Sequence, residues 1–390
     1  MIESPLLTKE VLSLPMINIV SFLKEMRQEA GAGLIDLSVG NPDLPPCDEA
    51  IAELVRVSAQ KNVHGYGNFD GQEALLDSII SYYKTRYNVG VEKNQINVIR
   101  GVRNLLFYIA YIFTAPGDTV LIPSIGYQSY YLATIFNHAT PYMIPMTEAN
   151  GYVPNLDEVP EEVLKRAKLL YLNYPNNPTG SQITPDQLAH IVDICRKYEI
   201  LLCYDNAYNE ILFDGNQPVS LMQIPGAEEI GIEIFSMSKL TCLAGWRIAF
   251  CIANPKLSNY IWNYNAVTDS AVYDGFQLAG AKALEYVTEH DDGKRLSKIY
   301  QKRRDIITSG FDAAGISYFR PMGGFYVWLN VPEGMTDVEF SREICRKTKV
   351  LVTPGSYYGD DGARNVRISL TAGERDLEIA AQRISKVAAE

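Results

Sequence analysis

Residues 169–180 read LLYLNYPNNPTG, an apolar run that ends in a segment rich in asparagine, proline and glycine. Runs of the same kind recur along the middle of the chain, at 96–99, 119–122, 141–145, 168–173, 200–204, 232–235 and 247–252. Amphipathic stretches separate them, such as the one that follows Thr184 and Pro185, a favourable N-cap and first helical residue. This alternation predicts an α/β fold with a seven-stranded, mostly parallel sheet covered by helices on both faces.

The C-terminal region has a different pattern. Amphipathic stretches and short apolar runs alternate there, at 294–312, 325–329, 337–347, 350–352 and 365–369. They predict a smaller α+β domain, which the N-terminal arm ending in Ile35-Asp36-Leu37 joins. We therefore expect a large domain at 45–285 and a small domain built from 1–44 and 286–390.

Charge and composition exclude several classes of function. The net charge of −11 and the absence of a long basic run argue against nucleic acid or an acidic membrane surface as a partner. The six cysteines show no CxxC spacing, and the four histidines form no metal-binding motif, so no metal is predicted. The longest apolar run, Leu105 to Phe113, is far too short to span a bilayer. We expect a soluble, cytoplasmic protein.

Ligands of parallel sheets bind beyond the carboxyl ends of the strands, and polar residues stand at those positions here. Asp205 follows the apolar run 200–204, and a carboxylate buried there needs a cationic partner, unless it merely caps a helix. Lys239, in Ser236-Met237-Ser238-Lys239, follows the run 232–235; taken alone, it is an ordinary surface lysine. These two residues are candidates for chemistry.

Three other segments are ambiguous when each is taken alone. Asn177-Pro178-Thr179-Gly180 has the composition of a simple turn. Gly101-Val102-Arg103 joins a strand to a helix, where backbone N–H groups can cradle a phosphate or form a plain connection. Arg247, in Gly245-Trp246-Arg247, opens the predicted strand 247–252 and is by itself a common surface residue.

Taken together, these segments resemble the class I/II aminotransferases of pyridoxal-phosphate (PLP) fold type I. The resemblance runs from Gly40 to Arg367, with the order and spacing of Asn-Pro-Thr-Gly, Asp205 with Tyr208, Ser-x-Ser-Lys and Gly-Trp-Arg. Segments such as Phe325-Tyr326-Val327-Trp328 are most similar to the LL-diaminopimelate aminotransferase branch. The resemblance implies PLP as the cofactor.

The resemblance also implies roles for individual residues. Lys239 would carry PLP as an imine and then move the proton at the substrate Cα. Asp205 would hold the proton on the pyridine nitrogen, which makes the ring an electron sink. Tyr208 and Asn177 would bind the phenolic oxygen, and Tyr127 would stack on the ring.

Phosphate, substrate and partner subunit have implied ligands as well. The phosphate would be held by Ser236, Ser238, Arg247 and the amides of Gly101, Val102 and Arg103. Arg367 would bind the substrate α-carboxylate, helped by Gly40 and Asn177. Tyr66 matches a tyrosine that reaches the phosphate of the neighbouring subunit, which implies a homodimer with shared active sites. Arg103 departs from the small, hydroxylic or lysine residue usual at its position.

The predicted function is the transfer of an α-amino group from an L-amino acid to a 2-oxo acid by a ping-pong mechanism. A PLP-dependent β- or γ-lyase, or another non-transaminating enzyme on the same fold, is the alternative. A ligand sensor that uses the fold only for binding is a third reading, against which the retention of Lys239 argues. The amino donor cannot be named from the residues alone.

Overall fold

The structure is a computed structural model that describes residues 4–388. Its strands are, in chain order, β1 (Ile35–Asp36), β2 (Ile96–Ile99), β3 (Thr119–Pro123), β4 (Thr140–Ile144), β5 (Ala167–Asn173), β6 (Leu201–Asp205), β7 (Gly231–Ser236), β8 (Ala249–Ala253), β9 (Tyr318–Phe319), β10 (Tyr326–Asn330), β11 (Val350–Leu351), β12 (Thr353–Pro354) and β13 (Asn365–Ser369).

The α-helices occupy most of the segments between and around these strands. They are α1 (Lys9–Ser13), α2 (Pro15–Ala30), α3 (Asp48–Ser58), α4 (Glu73–Tyr87), α5 (Val102–Phe113), α6 (Ser129–Phe136), α7 (Glu161–Leu164), α8 (Pro185–Tyr198), α9 (Ala227–Ile230), α10 (Met237–Leu240), α11 (Pro255–Thr268), α12 (Asp274–His290), α13 (Asp292–Ala314), α14 (Asp337–Thr348) and α15 (Glu374–Ala388). Short 3₁₀ turns complete the connections.

The central sheet has seven strands in the order β2-β8-β7-β6-β5-β3-β4. Strand β8 runs antiparallel to both of its neighbours, and the other pairs are parallel. The α/β fold predicted from the apolar runs is confirmed, and each strand lies within two residues of its predicted position.

Both faces of the central strand β5 are buried. In β5, Leu169 and Tyr171 pack into one apolar cluster with α5 and α6, while Leu170 and Leu172 pack into another with α8. This alternation follows from the two-residue period of a strand. Because helices cover both faces, the strand is apolar throughout, and its polar residues are confined to its ends.

A second layer of small sheets lies beside the large one. Strands β12, β13, β10 and β9 form an antiparallel sheet, and β1 pairs in parallel with β11. The latter pairing ties the N-terminal arm to the C-terminal region. Arg367 of β13 stands opposite Trp328 of β10 and Thr353 of β12, on a strand that is buried along its length.

Arg247 does not begin a strand, and this corrects the prediction. Strand β8 begins two residues later, at Ala249, and Arg247 has a positive φ of 58° at the end of a 3₁₀ turn. The turn places the guanidinium beside Gly101, where an added Cβ would overlap it. Gly101 itself has a φ of 85°, which favours glycine.

Across residues 4–388, none of the helices combines the length and apolar character needed to cross a bilayer. Within the same range, no three His, Cys, Asp or Glu side chains come together in a way that suits a metal ion.

Candidate active site

A cleft of about 810 Å³ opens at the carboxyl ends of β5, β6 and β7. The last residues of these strands, Asn173, Asp205 and Ser236, all line it, as expected for the ligand-binding edge of a parallel sheet. The predicted site residues that line the cleft are Gly40, Val102, Arg103, Tyr127, Asn177, Asp205, Tyr208, Ser236, Ser238, Lys239, Arg247 and Arg367.

Asp205 is a buried carboxylate with one satisfied oxygen. The hydroxyl of Tyr130 donates to Oδ2 at 2.9 Å, whereas Oδ1 is buried without a hydrogen-bond partner. Burial raises the pKa of Asp205 to about 6, although the hydrogen bond from Tyr130, the nearby backbone amide of Ala207 and the charge of Lys239 oppose this rise. A buried acceptor without a partner is costly, so Oδ1 is available to accept a hydrogen bond from a bound group.

Lys239 projects into the same cleft from the short helix α10. Its Nζ donates to the carbonyl oxygen of Gly40 at 2.9 Å and lies 5.0 Å from the centre of the Phe325 ring. Burial, with the charges of Arg367 and Arg247, lowers the pKa of Lys239 to about 8. An amine of this pKa is neutral in roughly a tenth of molecules at pH 7, and is therefore available as a nucleophile or base.

Arg367 is a buried cation fixed on several sides. Its Nη1 donates to Asn177 Oδ1 at 2.9 Å, and its Nη2 donates to the carbonyl oxygen of Ser38 at 2.6 Å. The rings of Tyr326 and Tyr358 lie 4.1 and 4.7 Å from the guanidinium carbon. No carboxylate pairs with it among residues 4–388, and its Nε has no partner. This arrangement suits an incoming anion.

The loop that carries Asn177 is held to the end of β6. Asn173 Nδ2 donates to the carbonyl oxygen of Asp205 at 2.7 Å, and Asn173 Oδ1 accepts from the backbone amide of Asn177 at 2.9 Å. Asn173 thus connects the carboxylate at 205 with the amide side chain that contacts Arg367.

A group of donors lies on the other side of the cleft, where β7 meets the start of α5. The first amides of α5 receive no side-chain cap, and Gly101 at the N-cap packs against Arg247. Ser236 and Ser238 complete the group, with Ser236 Oγ accepting from the Ser238 amide at 3.3 Å. Uncapped helix amides, two hydroxyls and a guanidinium form a suitable cradle for a phosphate.

Arg103 stands in the first turn of α5, and its Nε donates to the Tyr127 hydroxyl at 2.8 Å. The guanidinium carbon lies 5.7 Å from the centre of the Tyr127 ring. Arg103 therefore holds the ring on the rim of the cleft, and within residues 4–388 its side chain forms no hydrogen bond to Ser236 or Ser238. It has no acidic partner in the described part of the chain.

Two predicted residues do not line the cleft. Gly101 lies behind Arg247, and Tyr66 is 95 % exposed on a loop away from it. Among the residues that the structure describes, Tyr66 is not one of those that line the cleft with Ser236, Ser238 and Arg247.

Sequence reasoning missed several residues of the cleft wall. Tyr130 was detectable, because it lies one helical turn after Tyr127. Tyr326 lies in the segment Phe325-Tyr326-Val327-Trp328 that carried part of the resemblance, but its contact with Arg367 was not foreseen. Ser38 and Tyr358 carry no motif, and only the packing of the C-terminal region against the sheet reveals them.

Comparison with known proteins agrees with this geometry. The sequence profile described as "Aminotransferase class I and II" matches residues 32–384. The LL-diaminopimelate aminotransferase of Moorella thermoacetica is 33% identical over 362 residues, 92% of each chain. That of Natranaerobius thermophilus is 35% identical over 363 residues, which cover 92% of this chain and 93% of that protein. Substrate-bound BacF from Bacillus subtilis is similar in structure, with a TM-score of 0.93, 32% identity, and coverage of 99% of this chain and 98% of that one.

Proposed function

The chain belongs to the class I and II aminotransferases and is a PLP-dependent transaminase, and we propose that it moves the α-amino group of an L-amino acid to a 2-oxo acid in a ping-pong order. The observation that carries this proposal is that Asp205 and Lys239 line one cleft, the former with an unsatisfied buried oxygen and the latter with a lowered pKa.

The donor set fits PLP. The unpartnered Oδ1 of Asp205 would accept a hydrogen bond from the N–H of the pyridinium ring and so keep that proton on the nitrogen, and Tyr130 would keep Oδ2 oriented. When bound, the cofactor supplies a protonated ring that withdraws electrons from the substrate Cα. Tyr208, whose buried hydroxyl faces the cleft, would donate to the phenolic oxygen together with Asn177.

Lys239 would have two tasks. Its Nζ would hold the cofactor, and after the substrate has displaced it, the neutral amine would take the proton from the substrate Cα. The carbonyl oxygen of Gly40 would keep Nζ in place between these steps. Because the donor and the acceptor would use the same cleft and the amino group would stay with the cofactor between them, the first product would leave before the second substrate binds.

The phosphate would sit in the cradle of Ser236, Ser238, Arg247 and the first amides of α5, at Gly101 to Arg103. Tyr127 would cover the face of the ring, since Arg103 holds its hydroxyl.

Arg367 would bind the substrate α-carboxylate with its unpaired Nε and the donors now turned to Ser38 and Asn177. Arg367 and Gly40 belong to segments that we assign to a small domain of residues 1–44 and 286–390, with a large domain at 45–285. The parallel pairing of β1 with β11 supports this division. Movement of the small domain would close the cleft over the substrate.

For the substrate side chain we propose a group that ends in a carboxylate. Asp205 is the only acidic residue among those that line the cleft, whereas Arg103 stands at its rim without an acidic partner in residues 4–388. LL-diaminopimelate as the donor and 2-oxoglutarate as the acceptor both satisfy this, and the relatives named above carry the first in their names.

We also propose a homodimer. A surface formed by α5 and α11 exposes large apolar side chains: Tyr111, Tyr260, Trp262 and Val267. Trp262 Nε1 donates to Asp70 Oδ1, which joins this surface to the loop that carries Tyr66. Such a surface suits a second copy of the chain, whose phosphate cradle Tyr66 would complete. A cytoplasmic location fits the six cysteines, which are all unpaired.

The direct test is a half-reaction screen. Each of the twenty amino acids and LL-diaminopimelate is mixed with the PLP-loaded protein, and the absorbance of the bound cofactor is followed without an acceptor. We expect LL-diaminopimelate or glutamate to change the spectrum and to yield the matching 2-oxo acid. Release of ammonia in every productive case would instead identify a lyase.

A further inference from the structure

Tyr326, on β10, lies where two halves of the site meet. It is 2% exposed, its hydroxyl oxygen is 3.1 Å from that of Tyr208, and its ring centre is 4.1 Å from the guanidinium carbon of Arg367. The Tyr326 side chain therefore contacts both Tyr208, which we propose binds the cofactor, and Arg367, which we propose binds the substrate.

The same hydroxyl also packs on the segment 38–40. A Cβ at Gly40 would overlap the Tyr326 ring and hydroxyl, so glycine is needed for this approach. The carbonyl oxygens of this segment hold the two cations of the site: Ser38 accepts from Arg367, and Gly40 accepts from Lys239. Tyr326 thus supports the backbone that orients both.

We propose that Tyr326 is a positioning residue with two separable parts, a hydroxyl that directs the proton of Tyr208 toward the cofactor and a ring that holds Arg367 for the substrate α-carboxylate. The proposal rests on the roles of Tyr208 and Arg367 given above. Neither part of Tyr326 touches the reacting atoms.

The direction of the hydrogen bond follows from the number of protons. Tyr208 has one hydroxyl proton, and if it donates that proton to the cofactor, its oxygen accepts from Tyr326. Burial raises the pKa of Tyr208, so the phenol stays protonated over the range of an assay. The charged groups that face this pair are Lys239, Arg367 and Asp205.

Two substitutions separate the parts. Tyr326→Phe keeps the ring and removes the hydroxyl, and Tyr326→Leu removes both. Tyr318→Phe is the matched control, because it deletes a hydroxyl on the neighbouring strand β9, where the partner is Asp312 at 2.8 Å on the surface. All three are prepared as PLP-loaded protein.

The first measurement needs no substrate. The absorbance of the bound cofactor is titrated with pH, and Tyr326→Phe should raise the midpoint by about half a unit to one unit, because Tyr208 becomes a weaker donor. Tyr318→Phe should leave the midpoint where it is in the unsubstituted protein. An unchanged midpoint in Tyr326→Phe would overturn the role of the hydroxyl.

The second measurement is the KM for 2-oxoglutarate with LL-diaminopimelate as donor. Tyr326→Phe should keep KM within about twofold, while Tyr326→Leu should raise it by about three- to thirty-fold through loss of the cation–π contact. Equal KM values in the two variants would overturn the role of the ring. If the unsubstituted protein transfers no amino group, the proposed function fails. The pH titration of the bound cofactor would still show whether the Tyr326 hydroxyl acts on Tyr208.

Discussion

The hydroxyl of Tyr130 donates a 2.9 Å hydrogen bond to Oδ2 of Asp205, while Oδ1 of the same carboxylate is buried and has no hydrogen-bond partner within residues 4–388. This asymmetry prepares one oxygen for a ligand while the other is fixed. It also makes the cleft costly to maintain when no ligand occupies it, since burial raises the pKa of Asp205 to about 6.

The first prediction concerns stability without PLP. A rise in pKa of about two units corresponds to about 3 kcal/mol against the ionised carboxylate, so Asp205→Asn should stabilise the PLP-free protein by about 1–3 kcal/mol at pH 7. Between pH 4 and 6 the folded protein holds this proton more tightly than the unfolded chain. The stability of the unsubstituted protein should therefore fall relative to Asp205→Asn as pH rises through this window.

Denaturant unfolding of both proteins at several pH values measures this difference. Transaminase activity of Asp205→Asn should fall at least a hundredfold, because the amide cannot stabilise the pyridinium charge. A less stable PLP-free Asp205→Asn protein would show that the carboxylate is satisfied within the chain.

The second prediction concerns Tyr130. Its hydrogen bond lowers the pKa of Asp205, so Tyr130→Phe should raise that pKa further and weaken PLP binding most at low pH. At pH 6 we expect the dissociation constant for PLP to be about five- to tenfold higher in Tyr130→Phe than in the unsubstituted protein. At pH 8 this difference should be smaller. Tyr171→Phe is the control, because its hydroxyl donates to the carbonyl oxygen of Leu106 rather than to Asp205. A ratio that is constant with pH would speak against this coupling.

How much of this site was predictable depended on where its residues lie. Asp205 and Lys239 each follow an apolar strand, and the sheet order then brings them together, so sequence alone was sufficient. Tyr326 and Tyr358 reach the cleft because β10 and the turn at 355–358 lie against segments that follow the central strands. The Tyr326 hydroxyl contacts that of Tyr208, and the carbonyl oxygen of Tyr358 accepts from the Gly126 amide. No local pattern specifies that packing. The strand predicted to begin at Arg247 begins two residues later, because the positive φ of Arg247 ends the preceding turn and has no signal in the sequence.

The third prediction concerns the α-carboxylate. Arg367→Lys should raise the KM for donor and acceptor alike by about ten- to a hundredfold, because an ammonium cannot bind a carboxylate in the bidentate way and loses the stacking between Tyr326 and Tyr358. Arg364→Lys is the matched control on the exposed surface three residues earlier. Steady-state kinetics with both substrates measure these KM values. Equal KM values in Arg367→Lys and Arg364→Lys would show that Arg367 does not bind the substrate.

The fourth prediction concerns Tyr66. If this exposed side chain completes the cradle of a second subunit, Tyr66→Ala should weaken PLP binding and activity by about tenfold, and light scattering should give a dimer. Tyr66→Ala protein is then mixed with an excess of Lys239→Ala protein. Each mixed dimer would contain one site that has both Tyr66 and Lys239, so the activity per intact Lys239 should be restored. A dimer that shows no restoration would place Tyr66 outside the neighbouring site.

The central claim is that Lys239 holds PLP opposite Asp205. Borohydride reduction of the PLP-loaded protein, followed by proteolysis and mass spectrometry of the peptides, tests it most directly. We predict that the cofactor mass is found on the peptide containing Lys239 and is absent from Lys239→Ala protein that still binds PLP. Recovery of the label on another lysine, or its persistence in Lys239→Ala, would contradict the account.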